Sequence, residues 1–321
     1  MSGGEAELIR TYFRGMTASQ EGVVLGVGDD AALLRPRPQR WLAASCDTLI
    51  GGVHFPEDAP PEAVGHRGLA VNLSDMSAMG AAPAWALLSL TLPEEDPAWL
   101  DGFSRGFAAL ADGHGVALVG GDTTRGSLSI TVTVLGHVAE HGALCRGGAR
   151  PGDGIWVTGT LGDAARGLEC WRTGPHPLTG DAAWLAGRLL RPEPRVAAGR
   201  ALAGTATAAI DLSDGLALDL SRLLGESGAG ATLDLDALPA SDAFRAADGE
   251  VRHMLHGGDD YELCFTLPPA AEGGIGEIQR SAGVAMTRIG TVDAEPGLRG
   301  RAGGAVRTVE PRGYDHFGGT R

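Results

Sequence analysis

Short apolar runs alternate along almost the whole chain with segments in which apolar residues recur at the spacing of an α-helix. Each apolar run predicts one strand, and each periodic segment predicts one helix. The first half predicts strands at Val23–Val27, Ala31–Arg35, Trp41–Ser45, Trp85–Leu92, Val116–Val119 and Leu128–Val138, and helices at Glu5–Arg14, from Pro60 towards Asp75 and from Asp96 to about Asp112. The second half predicts strands at Ile155–Thr158, Thr207–Ile210, Thr232–Leu235, Tyr261–Leu267 and Ala285–Ile289, and helices at Gly162–Trp171, Asp181–Leu190, Val196–Ala203 and from Asp214 to about Leu224. This mixture predicts the α/β (α+β) class.

A connector rich in glycine, arginine and proline, Gly142–Gly154, separates the two halves. The 321 residues are enough for two domains of ordinary size. We therefore predict one domain over residues 1–141 and a second over residues 142–321.

The segment Leu69–Pro83 places a single carboxylate, Asp75, among apolar and small residues. An ionised carboxylate is costly there unless a cation or hydrogen-bond donors meet it. Five more apolar runs end in aspartates in the same way: VVLGVGDDAAL (Asp29, Asp30), LAASCDTL (Asp47), VALVGGDTTRG (Asp122), AAIDLSDGLA (Asp211, Asp214) and MLHGGDDYEL (Asp259, Asp260). One such junction alone is an ordinary turn or a helix cap, and Asp75 and Asp214 could both be caps. Their recurrence predicts strand or loop ends that converge on divalent metal and a nucleoside triphosphate.

The charge pattern narrows the chemistry of such a site. The net charge is −14 and all 26 basic residues are arginine, which argues against a nucleic-acid partner. Without lysine there can be no P-loop and no protein-kinase lysine, and the Rossmann pattern has no convincing match. Phosphate charge would then be met by Mg²⁺ on the aspartates, by the backbone of Gly120-Gly121 and by Arg146. Arg146 could also be a solvated linker residue.

Other classes of site find little support in the sequence. The four cysteines are scattered, so neither a zinc site nor a disulfide framework is indicated, and a reducing cytoplasm is expected. Leu69–Leu92 has the length of a membrane span, but its polar and turn residues favour a buried helix-turn-strand. His54 lies close enough to Asp47 to share its pocket, or is merely exposed. Cys46 is expected to pack, because no activating base is in sight.

Eight motifs, in this order, resemble the thiamine-monophosphate kinase family over nearly the whole chain: VGDDAALL, SCDTLIGGVHF, AVNLSDMSAMGAAP, LVGGDTTRG, RPEPRV, AIDLSDGL, HGGDDYELCF and GYDHF. Aminoimidazole ribonucleotide synthetase, the hydrogenase-maturation dehydratase and selenophosphate synthetase share the aspartate turns, whereas NLSDMSAMGAAP together with GGDDYEL and GYDHF is typical of the kinase. The resemblance implies a two-domain aminoimidazole ribonucleotide synthetase-like fold. Its N-terminal mixed sheet with helices would bind ATP and Mg²⁺ and form a homodimer, and its C-terminal domain would be α/β. The reaction would be the ATP-dependent phosphorylation of thiamine monophosphate to thiamine diphosphate.

The resemblance also implies residue roles. Mg²⁺ ions would be bound by Asp30, Ser45, Cys46, Asp47, Asp75, Asp122, Asp211 and Asp214, with Ser45 and Cys46 acting through backbone oxygen. ATP would contact Gly121, Asp122, Arg146 and Ser213, and thiamine monophosphate would contact His54, Asp259 and Phe317. The family usually has threonine at Cys46 and often glutamate at Asp259. A tyrosine that some members have near the nucleotide is replaced around Gly113–His114.

The mechanism that follows is direct in-line transfer. The acceptor phosphate has a second pKa of about 6, so it is mostly dianionic at pH 7 and needs no general base. We therefore expect no catalytic histidine or cysteine and no phosphoenzyme. Another ATP-dependent enzyme of the same superfamily, or a non-catalytic nucleotide or thiamine-phosphate sensor, is the alternative. No cysteine precedes Cys46, the tail GYDHFGGTR has none, and every metal aspartate is present, which favours the kinase.

Overall fold

The computed structural model describes residues 7–17 and 21–316. The chain divides into two compact units, one formed by Met1–Met76 and Ala81–His141, the other by Ser77–Gly80 and Gly142–Arg321. Each unit combines a β-sheet with helices, so the predicted α/β (α+β) class is confirmed.

The first unit is built on a four-stranded sheet with the strand order β3-β6-β4-β5. Its strands are β3 (Arg40–Ile50), β4 (Ala82–Leu92), β5 (Ala117–Arg125) and β6 (Ser129–Ala139), its long helices are α1 (Pro61–Ala78) and α2 (Pro97–His114), and β1 (Val23–Leu25) and β2 (Leu33–Leu34) form a separate antiparallel pair. Strands β4 and β5 run parallel, and β6 is antiparallel to both β3 and β4. A π-helical turn (Ile9–Phe13) and a 3₁₀ turn (Arg14–Thr17) stand where the N-terminal helix is predicted, and the start of that prediction lies outside the described residues.

Helix α1 is buried on almost all sides, which explains why its sequence shows no polar face. A Cβ at Gly65 would overlap with the Phe103 carbonyl of α2, and a Cβ at Gly106 would overlap with the Glu62 carbonyl of α1. The two helices therefore cross at backbone contact. After Ala78 the chain turns into β4, so the predicted helix-turn-strand is confirmed, and no described helix is long and apolar enough to cross a membrane.

The second unit is built on a seven-stranded sheet with the strand order β13-β12-β9-β11-β7-β10-β8. Its strands are β7 (Gly154–Thr158), β8 (Ala208–Asp211), β9 (Gly230–Asp234), β10 (Leu263–Leu267), β11 (Met286–Asp293), β12 (Gly297–Ala302) and β13 (Ala305–Thr308). Its helices are α3 (Asp163–Thr173), α4 (Gly180–Leu190), α5 (Val196–Leu202), α6 (Leu216–Ser227), α7 (Asp242–Ala246), α8 (Val251–His256) and α9 (Ile275–Ala282), with 3₁₀ turns at Leu235–Ala237 and Glu272–Gly274.

Side chains alternate across this second sheet and supply two separate cores. On β7, Ile155 and Val157 join the core that contains α6, whereas Trp156 between them packs on the core that contains α5 and α9. Helices therefore cover both faces, and the central strands β7 and β10 are accordingly buried on both faces. The result is a three-layer arrangement. The ends of its strands and the turns before its helices are the positions where polar functional residues can lie.

Several element boundaries in the first unit differ from the prediction. Strand β3 does not stop before Asp47 but pairs with β6 through Ile50, and β5 does not stop at Val119 but continues through Asp122 to Arg125. Helix α1 runs without a break through Asp75, which is therefore not a helix cap. Aspartate and glycine are uncommon in strands, so they were interpreted as turns, but cross-strand pairing overrides that preference here. In the second unit, the β12–β13 hairpin and the helices α7, α8 and α9 were not predicted.

Candidate active site

Asp75 lies half-buried in the last turn of α1. The negative end of the helix dipole disfavours an anion there, so local helix stability does not explain this residue. The Ser45 hydroxyl of β3 donates a short hydrogen bond to Asp75 Oδ2. One helical turn earlier, Asn72 Oδ1 accepts from the Asp47 backbone N–H at 3.0 Å. Helix α1 and strand β3 thus bring Ser45, Asp47 and Asp75 together.

Cys46 lies between Ser45 and Asp47, so its side chain projects from the opposite face of the sheet. The thiol is exposed and accepts a hydrogen bond from Thr133 Oγ1 at 3.2 Å. The thiol is therefore not part of the Ser45, Asp47 and Asp75 group, as expected if only the Cys46 carbonyl contacts a metal. That carbonyl contact stays a prediction.

Gly121 is where strand β5 comes closest to β4. Its φ is +150°, and a Cβ at this position would overlap with the Leu88 carbonyl, so only glycine fits. The next residue, Asp122, is exposed and stands opposite Ser89 in the ladder. The backbone of Gly121 is thus not covered by a side chain, and it lies next to the exposed carboxylate of Asp122.

Two further predicted residues of the first unit lie in loops. Asp30 is exposed in the turn between β1 and β2, and its backbone N–H donates to Asp29 Oδ1 at 2.9 Å. His54 lies in the loop after β3, where its Nδ1 accepts from the Ile50 backbone N–H at 2.9 Å. A neutral His54 ring therefore carries its proton on Nε2.

In the second unit, the predicted residues lie on one turn between β8 and α6. Asp211 ends β8 and is buried, and Ser213 and Asp214 follow directly. The carboxylate of Asp219 accepts from the backbone N–H groups of Asp214 at 2.9 Å and Gly215 at 3.1 Å. Gly215 is the N-cap and no side chain caps α6, so Asp214 is not a helix cap, and Asp219 instead holds the turn before the helix.

Sequence reasoning missed Asp219 and Arg222. Arg222 Nη1 binds both Asp219 and Asp214, so it fixes the Asp214 carboxylate. Burial, with the charge of Asp214 adding to it, raises the pKa of Asp219 to about 6. The available signal was the spacing of three between Asp219 and Arg222, which aligns opposite charges on one helix face.

The Asp259 loop docks on the same turn. The Asp259 N–H donates to the Ser213 carbonyl at 2.8 Å, and the Tyr261 N–H donates to the Leu212 carbonyl at 2.9 Å. From the other direction, the Tyr314 N–H donates to the Asp214 carbonyl at 3.0 Å. The structure thus brings the AIDLSDGL, HGGDDYELCF and GYDHF motifs together, although Phe317 itself lies outside the described residues.

Arg146 is exposed, on a segment that runs beside β8. The carbonyl of the preceding Cys145 accepts from the Ala209 N–H at 2.9 Å, and the Arg146 carbonyl accepts from Ser227 Oγ at 3.0 Å. The backbone of Arg146 is therefore fixed near the strand that ends in Asp211, and its guanidinium reaches solvent.

The donor set suits Mg²⁺. Within residues 7–17 and 21–316, no three histidine, cysteine, aspartate or glutamate side chains form a ready metal cluster. Mg²⁺ seldom needs one, because it is usually bound by one or two carboxylates together with waters and substrate phosphates. The carboxylates of Asp47 and Asp75, with the Ser45 hydroxyl beside them, are oxygen donors of this kind.

A second set of carboxylates is buried beside the Asp259 loop. Asp163, Asp260 and Glu262 are all nearly inaccessible to solvent. Asp260 accepts from the Gly162 N–H at 3.0 and 2.9 Å, and Asp163 accepts from Ser241 Oγ at 2.6 Å. Burial, with the nearby charges of Asp163 and Glu262 adding to it, raises the pKa of Asp260 well above its usual value.

The raised pKa of Asp260 predicts a contribution to wild-type stability that is lost as pH rises. The folded protein holds a proton that the unfolded chain releases above about pH 4, so the free energy of unfolding decreases up to the folded pKa, by at most about 1.4 kcal/mol per pH unit. Asp260→Asn cannot ionise and should lack this loss. Thermal unfolding at several pH values from about 4 upwards should show the variant gaining stability relative to wild type as the pH rises.

The exposed Asp242 provides the control, because its carboxylate lies in the same unit and is fully solvated. Asp242→Asn should follow the wild-type pH dependence. Parallel curves for wild type and Asp260→Asn would contradict a proton held at Asp260.

Comparison with known proteins identifies the family. Residues 28–138 match the model of the AIR synthase related protein, N-terminal domain, and residues 150–303 match that of its C-terminal domain. The chain is 47% identical over 322 residues to the thiamine-monophosphate kinase of Salmonella typhimurium, covering 99% of each chain.

Two solved structures are similar throughout. The crystal structure of thiamine-monophosphate kinase from Stenotrophomonas maltophilia K279a is 44% identical, with a TM-score of 0.87 over 93% of this chain and 97% of that one. AaThiL complexed with AMPPCP and TMP is 32% identical, with a TM-score of 0.80 over 88% of this chain and 89% of that one. Since these matches span both units at high identity, the chain belongs to the AIR synthase related family and, within it, to the thiamine-monophosphate kinases.

Proposed function

We propose that this protein transfers the γ-phosphoryl group of ATP directly to thiamine monophosphate, giving thiamine diphosphate and ADP. The observation that carries the proposal is the Ser45, Asp47 and Asp75 group, where a carboxylate is kept in the dipole-disfavoured last turn of a buried helix. Carboxylate and hydroxyl oxygens grouped in this way are the kind of donor that Mg²⁺ takes when it is also bound to substrate phosphates. The likeness to thiamine-monophosphate kinases, one solved with AMPPCP and TMP, supports the choice of both substrates.

Mg²⁺ fits the oxygen donors of both units, and several ions would be held by the residues predicted for them: Asp30, Ser45, Cys46, Asp47, Asp75, Asp122, Asp211 and Asp214. Bound there, the metal would reduce the repulsion between the two phosphate-bearing substrates and neutralise charge on the transferring group. The Ser45 hydroxyl orients the Asp75 carboxylate, and Arg222 does the same for Asp214. These contacts would fix the carboxylates before the substrates arrive.

The nucleotide would be bound by Gly121, Asp122, Arg146 and Ser213. At Gly121 the uncovered backbone allows phosphate oxygens to approach closely, and the exposed guanidinium of Arg146 supplies positive charge. Thiamine monophosphate would contact His54, Asp259 and Phe317. The bond between the Asp259 N–H and the Ser213 carbonyl supports neighbouring positions for the acceptor and the nucleotide in the second unit.

No side chain is proposed as acid, base or nucleophile. His54 Nδ1 already accepts a backbone hydrogen bond, and the Cys46 thiol projects from the face opposite Asp47. The acceptor phosphate, mostly dianionic at pH 7, can attack without losing a proton. The chain's own residues would bind, orient and screen the two substrates for in-line transfer.

We propose that the protein is a homodimer joined through the sheet of the first unit, which would make residues 1–141 the nucleotide-binding and dimerisation domain. The sheet face opposite Asp47 carries Leu42, Ile50 and Leu87, which are 50%, 41% and 36% exposed. Thr133 and Leu135 of β6 lie half-exposed on the same face. An apolar sheet face of this kind is costly in water and marks an interface.

The four free thiols suit a cytoplasmic location.

The function is tested with purified protein, ATP and thiamine monophosphate, following thiamine diphosphate by chromatography. Product should form only when both substrates and Mg²⁺ are present, and it should stop when EDTA removes the metal. ATP binding without turnover of this acceptor would favour another enzyme of the superfamily. Binding without any turnover across phosphate, amide and carbonyl acceptors would favour a sensor.

Asp75→Asn tests the carboxylate on α1. Turnover at saturating substrates should fall roughly 100-fold or more, because a charge-stabilising group is lost from the site. Stability should stay the same or rise by about 0.3–1 kcal/mol, since the anion opposes the helix dipole. Asp112→Asn is the matched control, an exposed carboxylate in the last turn of α2. Near-normal turnover of Asp75→Asn at saturating Mg²⁺ would refute the assignment.

The dimer is tested by Leu87→Asp, which places a charge in the middle of the exposed sheet face. Wild-type protein should elute with twice the chain mass in size-exclusion chromatography with light scattering, and the variant should shift towards the monomer. Trp184→Asp is the control, because Trp184 is 47% exposed on α4 of the other unit. A wild-type protein that is monomeric at micromolar concentration would rule out the dimer.

A further inference from the structure

A buried ion network in the second unit has no part in the function proposed above. Glu262 is fully buried, and its carboxylate accepts from Arg195 Nε at 2.7 Å, Arg195 Nη2 at 2.6 Å and Arg188 Nη2 at 2.7 Å. Thr158 Oγ1 adds a fourth hydrogen bond at 2.6 Å. The network joins two motifs whose residues have no role so far, RPEPRV and the end of HGGDDYELCF.

Stability alone does not account for this arrangement. Both guanidiniums are largely buried, with 15% of the Arg188 side chain and 11% of the Arg195 side chain exposed. Burial acts to lower the pKa of Arg195, but the hydrogen bonds and charge of Glu262 outweigh it, so the pKa is raised and the ion stays charged. Buried ion pairs of this kind are often no more stabilising than apolar packing of equal volume. Their distinctive property is fixed geometry, because a forked guanidinium meets a carboxylate in one orientation.

The fixed geometry of the Glu262 ion pairs matters for the loop immediately before Glu262, which has a strained backbone. Asp259 and Tyr261 have φ values of +62° and +49°, a region that costs residues with a side chain free energy. Such a conformation persists only where neighbouring contacts impose it. One side of the loop is held by the Ser213 and Leu212 carbonyls, and the Glu262 carbonyl accepts from the Leu212 N–H at 2.9 Å.

The other side of the loop is held through the side chains of two residues, Asp260 and Glu262. The Asp260 carboxylate accepts from the Gly162 N–H, and Glu262 is held by Arg188 and Arg195. Asp259, between these two anchored sides, is half-buried. The conformation that presents Asp259 therefore depends on where Glu262 is fixed.

We infer that Arg188, Arg195 and Glu262 are positioning residues for the phosphate acceptor: they set the Asp259 turn, and so the affinity for thiamine monophosphate, without touching a substrate. The inference rests on the proposed function, in which Asp259 contacts the thiamine end. It assigns the RPEPRV motif a role in acceptor specificity. If the ion pair were purely structural, its substitution would instead lower folding stability and change the KM values for both substrates alike.

Arg195→Lys tests the inference without leaving an unpaired buried carboxylate, because the charge stays and only the fork is lost. The KM for thiamine monophosphate should rise about tenfold, equivalent to one charge-assisted hydrogen bond. The KM for ATP and kcat should stay within about twofold of wild type. Arg188→Lys should shift the same KM in the same direction, and it serves as the second variant if Arg195→Lys folds poorly.

Arg299→Lys is the matched control, since Arg299 is a partly buried arginine that pairs with Asp293 in the same unit. It should change neither KM. Unchanged acceptor KM in both Arg195→Lys and Arg188→Lys, with wild type active, would overturn this inference alone. An equal rise in both KM values that parallels a lower melting temperature would also overturn it. Wild-type protein that forms no thiamine diphosphate would contradict the proposed function and this inference with it.

Discussion

A carboxylate withdrawn from water must be met by a cation or by hydrogen-bond donors, and this constraint shapes both units of the protein. With no lysine in the chain, the cation must be arginine, a protonated histidine or an ion from outside. The second unit uses arginine, since Arg188 and Arg195 hold Glu262 and Arg222 holds Asp214. In the first unit, the contacts described around Asp75 and Asp47 are to a serine hydroxyl and an asparagine amide. The Glu262 network stiffens a scaffold, whereas Asp75 and Asp214 are carboxylates proposed to bind Mg²⁺.

The sequence allowed the class and most elements to be predicted, because strongly periodic segments carry their own signal. Strand β7 and helix α2 were predicted within two residues, and the helix-turn-strand from Leu69 to Leu92 was distinguished from a membrane span. The errors lie where pairing overrides local preference. Asp47 and Asp122 look like turn residues, yet each lies within a strand whose partner continues beside it. The β12–β13 hairpin, an edge with charged and glycine residues, has little periodicity to detect.

The sequence indicated which residue types the candidate site should contain, but it could not indicate how those residues are arranged. Recurring aspartates and familiar motifs pointed to Asp75, Asp211 and Asp214, because chemistry of this kind needs particular side chains. The network around Glu262 was invisible, since Arg195 lies 67 residues away along the chain and only folding reveals the contact. Positioning contacts of this type leave no local pattern. RPEPRV belongs to the motifs that carry the family resemblance, but its sequence does not show what its residues touch.

The crossing of α1 and α2 has a consequence for how this protein can diverge. Gly65 and Gly106 each face a carbonyl of the other helix, so every other amino acid at either position introduces an atom where backbone already lies. Any substitution of either glycine therefore produces this clash. A second substitution in a neighbouring side chain cannot relieve it, because the clash is with backbone atoms. Drift in the surrounding sequence is therefore free to alter surfaces and loops while these two positions keep the helix that carries Asp75 at one fixed depth in the fold.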